Sequence, residues 1–120
     1  MNVLIIDDSS VMRKLVRRGL RQAGFGGLEV EEAEDGLAGL EQLRTGRYDV
    51  ALVDWNMPNM TGIEMLEVAK AENLDVKIGF VTSESTDAMR ARASTAGAAF
   101  FVTKPFTPES LQDALGSTLG

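Results

Sequence analysis

Apolar residues along this chain gather in five short clusters, and each cluster is followed by a stretch in which apolar residues recur at helical spacing. The clusters that predict strands span residues 3–6, 28–32, 50–53, 76–81 and 98–102. Most of these runs are dominated by apolar residues, which is typical of strands buried on both faces of a parallel sheet. The second run alternates apolar and acidic residues and therefore predicts a half-exposed strand.

Helix start and stop signals follow each predicted strand. The first helix begins after Ser9 or Ser10, stops at Gly24 and has these apolar positions: Val11, Met12, Leu15, Val16, Leu20 and Ala23. Further helices are predicted over residues 37–43, from residue 61 or 62, over residues 87–96, and from the Thr107-Pro108-Glu109 signal onward. Gly79 is unusual, because glycine weakens a strand interior and the sequence gives no reason for it.

Five strand-helix units of this length have few good packings, because each crossover is right-handed and helices must cover both faces of the sheet. We therefore predict an α/β fold of the doubly wound, flavodoxin-like (βα)5 type, with one five-stranded parallel sheet. Its expected strand order is 2-1-3-4-5, and ligands bind beside strands one and three at the switch point of that order. A single domain over residues 1–120 is expected.

Composition narrows the classes of function. The chain has no Cys and no His, which excludes disulfides, thiolate or imidazole metal sites, and catalysis by Ser-His or Cys-His pairs. The net charge of −6 argues against a nucleic acid partner, and no apolar run is long enough for a membrane span. We expect a monomer in the cytoplasm with neither nucleic acid nor membrane as a partner.

Polar side chains stand at the ends of four of the five strands. Asp7-Asp8 follows the first strand, Asp54 the third, Thr82 the fourth and Lys104 the fifth. Because the carboxyl ends of parallel strands lie at one edge of a sheet, we expect these side chains to share a crevice. Taken singly, each has an ordinary explanation as a helix cap, a turn former, a strand residue or a solvated lysine.

Oxygen ligands at this edge predict a site for a hard divalent cation. Mg²⁺ prefers a few oxygen ligands and keeps several waters, so Asp8, Asp54 and the backbone carbonyl of Asn56 suffice, and Mn²⁺ would fit the same ligands. Asp7 would act through a water or orient Asp8. With the metal on one side and Lys104 on the other, a phosphoryl group could be transferred to the Asp54 carboxylate, and Thr82 would donate its hydroxyl to a phosphoryl oxygen.

Two other functions would also use carboxylates at this edge of the sheet. A Mg²⁺-dependent aspartyl phosphatase would carry its nucleophile after the first strand and an acid two residues later, where this chain has Ser9. A scaffold that is never phosphorylated would have no need of the complete set of polar residues.

Asp7-Asp8, Asp54 with Met57-Pro58, Thr82-Ser83 and Lys104-Pro105 together resemble response-regulator receiver domains, in particular single-domain members of the chemotaxis type or of phosphorelays. The resemblance implies a stand-alone response regulator that takes a phosphoryl group from a histidine kinase or a histidine phosphotransfer protein onto Asp54. It also implies later autodephosphorylation.

The resemblance further assigns roles around the site. Thr82 and Phe101 would form the conformational switch, and Phe101 stands where many members have tyrosine. Asn56 and Glu84 would tune the access of water to the phosphoryl group. The output partner would bind the face formed by the fourth helix, fifth strand and fifth helix, although the sequence leaves open which partner this is.

Basic residues crowd the first predicted helix. Arg13, Lys14 and Arg17 either form a solvated face or, together with Phe106, a docking surface for an acidic partner beside the site. The sequence does not determine whether the Lys104-Pro105 peptide is cis.

Overall fold

Strands and helices alternate along the chain, and the five strands pair into one parallel sheet. The structure is a computed structural model that describes residues 1–119, so residue 120 of the predicted domain lies outside the described residues. The elements are β1 (Asn2–Ile6), α1 (Ser10–Gln22), β2 (Glu29–Ala33), α2 (Gly36–Leu43), β3 (Val50–Val53), α3 (Gly62–Ala71), β4 (Lys77–Thr82), α4 (Asp87–Thr95), β5 (Phe101–Thr103) and α5 (Pro108–Leu119). The sheet order is β2-β1-β3-β4-β5 with every pair parallel, which confirms the predicted fold.

β3 lies at the centre of the sheet, and all four of its side chains are buried. Ala51 and Val53 belong to a core on the side of α2, α3 and α4, whereas Val50 and Leu52 belong to a core on the side of α1 and α5. Each fully buried Val, Leu or Ile contributes about 1.5–3 kcal/mol relative to an exposed one. Helices therefore cover both faces of the sheet, as predicted. Within residues 1–119, no helix combines the length and apolar character that a membrane crossing requires.

Side-chain caps define the starts of the helices. Ser9, rather than Ser10, caps α1 by accepting a hydrogen bond from the amide of Met12. Thr61, rather than Gly62, caps α3 and forms a reciprocal capping box with Glu64. A capping side chain contributes about 1 kcal/mol, because it binds an amide that the helix itself leaves without a partner. The caps thus fix where the loops that follow β1 and β3 end.

β5 is shorter than its predicted range, since it begins at Phe101 and not at residue 98. The amide of Ala98 donates to the carbonyl of Ala93 at 2.9 Å and closes the carboxyl end of α4, where Gly97 has a φ of 92°. That amide is therefore unavailable to the sheet. The strands β1, β2 and β4 differ from their predicted bounds by one residue at one or both ends, within the usual uncertainty of strand ends.

α1 does not bury all six of the apolar positions that its sequence contains. Val16 and Leu20 are buried against the sheet, but Val11 and Leu15 are 64% and 45% exposed. At about 100° per residue, only one side of the helix can face β1 and β3, and Val11 and Leu15 lie beyond its edge. The apolar positions of α1 thus extend beyond the face that packs on the sheet.

Gly79 has a packing reason that the sequence could not show. It lies in β4 directly beneath the ring of Phe100, and a Cβ atom at this position would overlap three carbons of that ring. Phe100 is itself buried in the core formed with α1 and α5. The missing side chain of Gly79 thus makes room for an aromatic ring against the sheet.

We predict that Gly79→Ala lowers the free energy of unfolding by about 1–3 kcal/mol, because the added methyl group overpacks this core. Gly116→Ala is the matched control: the position lies within α5, a Cβ there would meet nothing within 4 Å, and alanine should stabilise the helix by about 0.5–1 kcal/mol. Urea unfolding of both variants measures the two effects. Equal stability of the two variants would contradict the packing explanation.

Candidate functional site

The carboxyl ends of β1, β3, β4 and β5 bring the predicted polar residues to one edge of the sheet. Carboxylate oxygens of Asp7, Asp8 and Asp54 lie within 4.8 Å of one another. The Nζ of Lys104 lies 3.0 Å from Oδ2 of Asp7 and 3.7 Å from Oδ1 of Asp54. Thr82, the last residue of β4, is fully buried. The structure therefore assembles all five side chains that the sequence placed in one crevice.

Backbone hydrogen bonds between strands hold the positions that carry these side chains. The amide of Asp54 donates to the carbonyl of Ile6 at 2.9 Å and extends the pairing of β3 with β1 by one residue. The amide of Lys104 likewise donates to the carbonyl of Thr82 at 2.8 Å, just beyond the pairing of β4 with β5. The Lys104-Pro105 peptide is cis. Hydrogen bonding between strands therefore continues one residue beyond β3 and β5 and fixes the backbone at Asp54 and Lys104.

Lys104 and Asp7 form a nearly buried ion pair across the end of the sheet. Their side chains are only 11% and 5% exposed. The other oxygen of Asp7, Oδ1, accepts a hydrogen bond from the amide of Ser9 at 2.9 Å. Removal of one partner from such a pair is strongly destabilising, because the remaining charge stays buried and uncompensated. Each carboxylate oxygen of Asp7 thus accepts a hydrogen bond, Oδ1 from Ser9 and Oδ2 from Lys104.

The pKa of Asp54 is raised from its usual value, chiefly because burial disfavours the charged carboxylate. Lys104 acts in the opposite direction through its positive charge, and the neighbouring charge of Asp7 raises the pKa further. Hydrogen bonding to Thr82 and to the amide of Trp55 lowers it in part. Burial is therefore a larger cause of the raised pKa of Asp54 than repulsion from Asp7. Ionised Asp54 would consequently be stabilised by an additional cation.

The donor set at this edge suits a hard divalent ion. Asp8 is exposed and the side chain of Asp54 is 12% exposed, whereas Asp7 is already paired with Lys104. Three carboxylates against one ammonium leave two negative charges in excess, which one divalent cation would balance. Oxygen is the ligand that Mg²⁺ prefers. Asp8 and Asp54 are therefore the carboxylates best placed to bind a metal directly, with the carbonyl of Asn56 as the expected third ligand.

Aromatic rings connect the site with the far edge of the sheet. The ring centroids of Trp55 and Phe80 are 5.0 Å apart, and those of Phe80 and Phe101 are 6.0 Å apart. Trp55 is only 8% exposed and therefore belongs to the core rather than to the surface. The row begins at the residue next to Asp54 and ends at the partly buried Phe101 on β5. Sequence reasoning missed Phe80, which is hidden within a buried strand.

Arg90 on α4 is a second residue that sequence reasoning missed. Its guanidinium carbon lies 4.5 Å from the centroid of the Phe101 ring, and its Nη2 donates to Oγ1 of Thr103 at 2.9 Å. The only signal in the sequence is that Phe101 and Thr103, two residues apart, share one face of β5. Contact of a cation with an aromatic face contributes about 0.5–1 kcal/mol at exposed sites. Arg90 therefore holds Phe101 against α4.

The remaining predicted residues lie around the rim. Asn56 and Glu84 are exposed in the loops that follow β3 and β4. The amide of Glu84 donates to the Thr82 hydroxyl at 3.4 Å. Both rim side chains therefore border the crevice without being enclosed by it.

Two of the predicted docking residues on α1 are occupied by an intramolecular partner. Arg13 and Arg17 both bind the carboxylate of Glu32 on β2, at 2.8 and 2.9 Å, so they do not form a free basic face. Lys14 is exposed. Phe106 lies in the loop before α5, where its ring packs against Gly19 of α1 and lines a groove of about 630 Å³ that reaches Lys104. The predicted surface of Arg13, Lys14, Arg17 and Phe106 is therefore divided by these contacts.

Comparisons with known proteins agree with this geometry. A sequence model of the response regulator receiver domain matches residues 3–116. The chain is 37% identical over 117 residues to the chemotaxis protein CheY of Pseudomonas aeruginosa, covering 96% of this chain and 93% of that protein. It is also 37% identical over 117 residues to the chemotaxis protein CheY-3 of Vibrio cholerae, covering 96% and 88%.

A solved structure gives the same result in three dimensions. The chain superposes on the Vibrio cholerae chemotaxis protein CheY4 with a TM-score of 0.84 and 34% identity, covering 98% of each chain. Receiver domains act in two-component signalling with a histidine kinase or a phosphotransfer partner. Because the family match spans nearly the whole sequence and its strand ends carry the expected side chains, this chain belongs to the response regulator receiver domain family.

Proposed function

We propose that Asp54 accepts a phosphoryl group from a histidine kinase or a histidine phosphotransfer protein, with Mg²⁺ or Mn²⁺ bound by Asp8, Asp54 and the backbone carbonyl of Asn56. The observation that carries this proposal is the position of the Asp54 carboxylate, 3.7 Å from the Lys104 ammonium and within 4.8 Å of the carboxylates of Asp7 and Asp8. Asp54 is the member of this cluster that stands at the centre of the sheet.

Asp54, Lys104 and Thr82 would each have a separate role in phosphoryl transfer. An Asp54 oxygen forms the new bond to phosphorus, while the bond from phosphorus to the donor's imidazole nitrogen breaks. Lys104 stabilises the charge on one equatorial oxygen, and the Thr82 hydroxyl donates to another. Oδ1 of Asp54 already accepts the amide of Trp55 at 3.0 Å, which orients the carboxylate. The metal, when bound, supplies the positive charge that lets two anions approach.

Loss of the phosphoryl group would occur by attack of water on phosphorus, which returns Asp54 to a carboxylate. Asn56 and Glu84 border the crevice on two sides and are exposed, so they are in a position to set how water enters. We assign them this tuning role.

The output of phosphorylation would be a change on the face formed by α4, β5 and α5, where an output protein binds. Thr82 is buried beside the site, and the row of Trp55, Phe80 and Phe101 leads from it to this face. The change is a population shift between two conformers, biased by about 1–3 kcal/mol if it is typical of coupled sites. Arg90 would stabilise one of the two positions of Phe101.

The alternative functions have less support. In an aspartyl phosphatase, the residue two positions after Asp7 would be an acid, but here it is Ser9, whose hydroxyl caps α1. A scaffold that is never phosphorylated would not require the nearly buried pair of Lys104 and Asp7. A monomer in the cytoplasm, one receiver domain over residues 1–120, and the lack of nucleic acid or membrane partners remain predictions.

We predict that Asp54 is the only phosphorylation site. In the presence of Mg²⁺ and acetyl phosphate, the parent protein should gain the mass of one phosphoryl group, and Asp54→Asn should gain none. Asp75→Asn, at an exposed carboxylate in the loop before β4, is the control and should behave as the parent. Retention of the added mass in Asp54→Asn, measured by intact mass spectrometry, would disprove the assignment.

We also predict that Mg²⁺ stabilises the protein, because the metal binds the folded state and not the unfolded chain. At about a hundred times its dissociation constant it should add about 2.7 kcal/mol to the free energy of unfolding. Asp8→Ala should remove this response, whereas Asp75→Ala should keep it. Thermal unfolding with and without Mg²⁺ measures the difference, and coincident melting temperatures in the parent would show that the metal site is wrong.

If Thr82 and Phe101 form the conformational switch, variants at these positions should change partner binding without preventing phosphorylation. Thr82→Ala should leave Asp54 able to accept phosphate but should uncouple the partner face, whereas Phe101→Tyr should be tolerated. Phe101→Ala should weaken output and leave Mg²⁺ affinity unchanged. Backbone amide shifts on addition of beryllofluoride test this directly. If residues 85–115 stay unmoved in the parent while the loop after β3 shifts, the switch does not operate.

A further inference from the structure

Arg13 connects the candidate metal site with the edge strand of the sheet. Its Nη1 donates to the backbone carbonyl of Asp7 at 2.6 Å, and its Nε donates to Oε1 of Glu32 at 2.8 Å. The side chain is only 16% exposed, which is low for an arginine on a surface helix. The guanidinium therefore bridges the loop after β1 and the strand β2.

The carbonyl that Arg13 binds belongs to the peptide unit between Asp7 and Asp8. A peptide unit is planar, so fixing its oxygen also fixes the direction in which the chain enters Asp8. Asp7 has further anchors, since its amide donates to Ala33 and its carboxylate binds Ser9 and Lys104. Asp8 is exposed, and its orientation therefore depends strongly on that peptide plane.

Arg13 is itself fixed by Glu32, which also binds Arg17 at 2.9 Å. Burial alone would raise the pKa of Glu32, but hydrogen bonds and charges from the two arginines together lower it, so that Glu32 is ionised at neutral pH. The guanidinium of Arg13 thus has a charged partner on one side and the Asp7 carbonyl on the other. Its position is determined at both ends.

We propose that Arg13, held by Glu32, is a positioning residue that orients Asp8 for metal binding. The inference rests on the proposed function, because it assigns Asp8 as a metal ligand. Arg13 acts through the peptide plane that precedes Asp8 and does not touch the metal itself. Groups that orient metal ligands in this indirect way typically change metal affinity by about 10–100-fold when they are removed.

The direction in which Mg²⁺ affinity changes when Arg13 is removed separates a positioning role from simple electrostatic repulsion. A positive charge close to a cation site repels the cation, so removal of Arg13 would tighten Mg²⁺ binding if its charge were all that mattered. Glu32 largely compensates that charge at 2.8 Å. Positioning predicts the opposite result, namely weaker Mg²⁺ binding when Arg13 is removed.

Arg17 provides a matched control on the same helix. It lies about one turn further along, binds the same carboxylate, and donates to the carbonyl of Val30 where Arg13 donates to that of Asp7. Loss of Arg17 removes the same charge and the same kind of ion pair with Glu32. It leaves the peptide unit before Asp8 fixed.

The test is a Mg²⁺ titration followed by the fluorescence of Trp55, the only tryptophan, in the parent, Arg13→Ala and Arg17→Ala. We expect about 10-fold weaker binding for Arg13→Ala and a change under about 2-fold for Arg17→Ala. The amides of Asp8 and Ser9 should shift in metal-free Arg13→Ala and keep their positions in Arg17→Ala.

Each outcome has a distinct meaning. If the parent shows no response to Mg²⁺, the proposed metal site fails and this inference fails with it. If the parent binds Mg²⁺ and Arg13→Ala binds equally well or more tightly, only the role of Arg13 is overturned. Should Arg13→Ala not fold, Arg13→Lys and Arg17→Lys decide, because an ammonium cannot bridge Asp7 and Glu32 as the planar guanidinium does. Weaker binding is then expected for Arg13→Lys alone, and equal binding by both overturns the inference.

Discussion

The ammonium of Lys104 faces two carboxylates, those of Asp7 and Asp54, at the edge of an otherwise apolar sheet. This arrangement requires that β1, β3 and β5 all present their carboxyl ends at one level, which a parallel sheet with central β3 provides. One ammonium does not balance the three carboxylates of the cluster. A divalent cation would balance the remaining negative charge. Under the proposed function, Asp8 and Asp54 would hold that cation, and Lys104 would help an anionic phosphoryl group to approach the Asp54 carboxylate. Under the proposed function, this excess of negative charge is the property that would favour metal binding and hence phosphoryl transfer.

A row of packed aromatic rings connects this edge of the sheet with β5 and could transmit a change of charge at the site. Trp55 follows Asp54 directly, packs on Phe80, and Phe80 in turn packs on Phe101. Interiors are packed too tightly to deform continuously, so under the proposed function a displacement near Thr82 would be relieved by a discrete movement of a neighbouring ring. Phe101 is the ring with room to move, since it is only partly buried, and its contact with Arg90 gives one of its positions a specific stabilising partner.

Sequence reasoning predicts the fold and the cluster of polar residues because both depend on features that are local in the chain. Buried strands, caps and turn residues are visible as patterns, and right-handed crossovers then leave few arrangements for the sheet. Contacts made by long side chains between distant segments have no such pattern. Arg13 reaching the carbonyl of Asp7, Arg90 reaching Phe101, and Phe100 covering Gly79 all required the structure. The ion pairs that Arg13 and Arg17 form with Glu32 were not predicted for the same reason.

The central claim is that the carboxylate at the end of β3 forms the covalent bond to phosphorus. Reduction with borohydride after incubation with Mg²⁺ and acetyl phosphate tests it most directly, because an acyl phosphate is reduced to an alcohol and an aspartyl phosphate therefore becomes homoserine. Peptide sequencing by mass spectrometry then locates the modified residue. The account predicts homoserine at position 54 and unmodified aspartate at positions 7 and 8. Homoserine at either of those two positions, or at none in the chain, would contradict it.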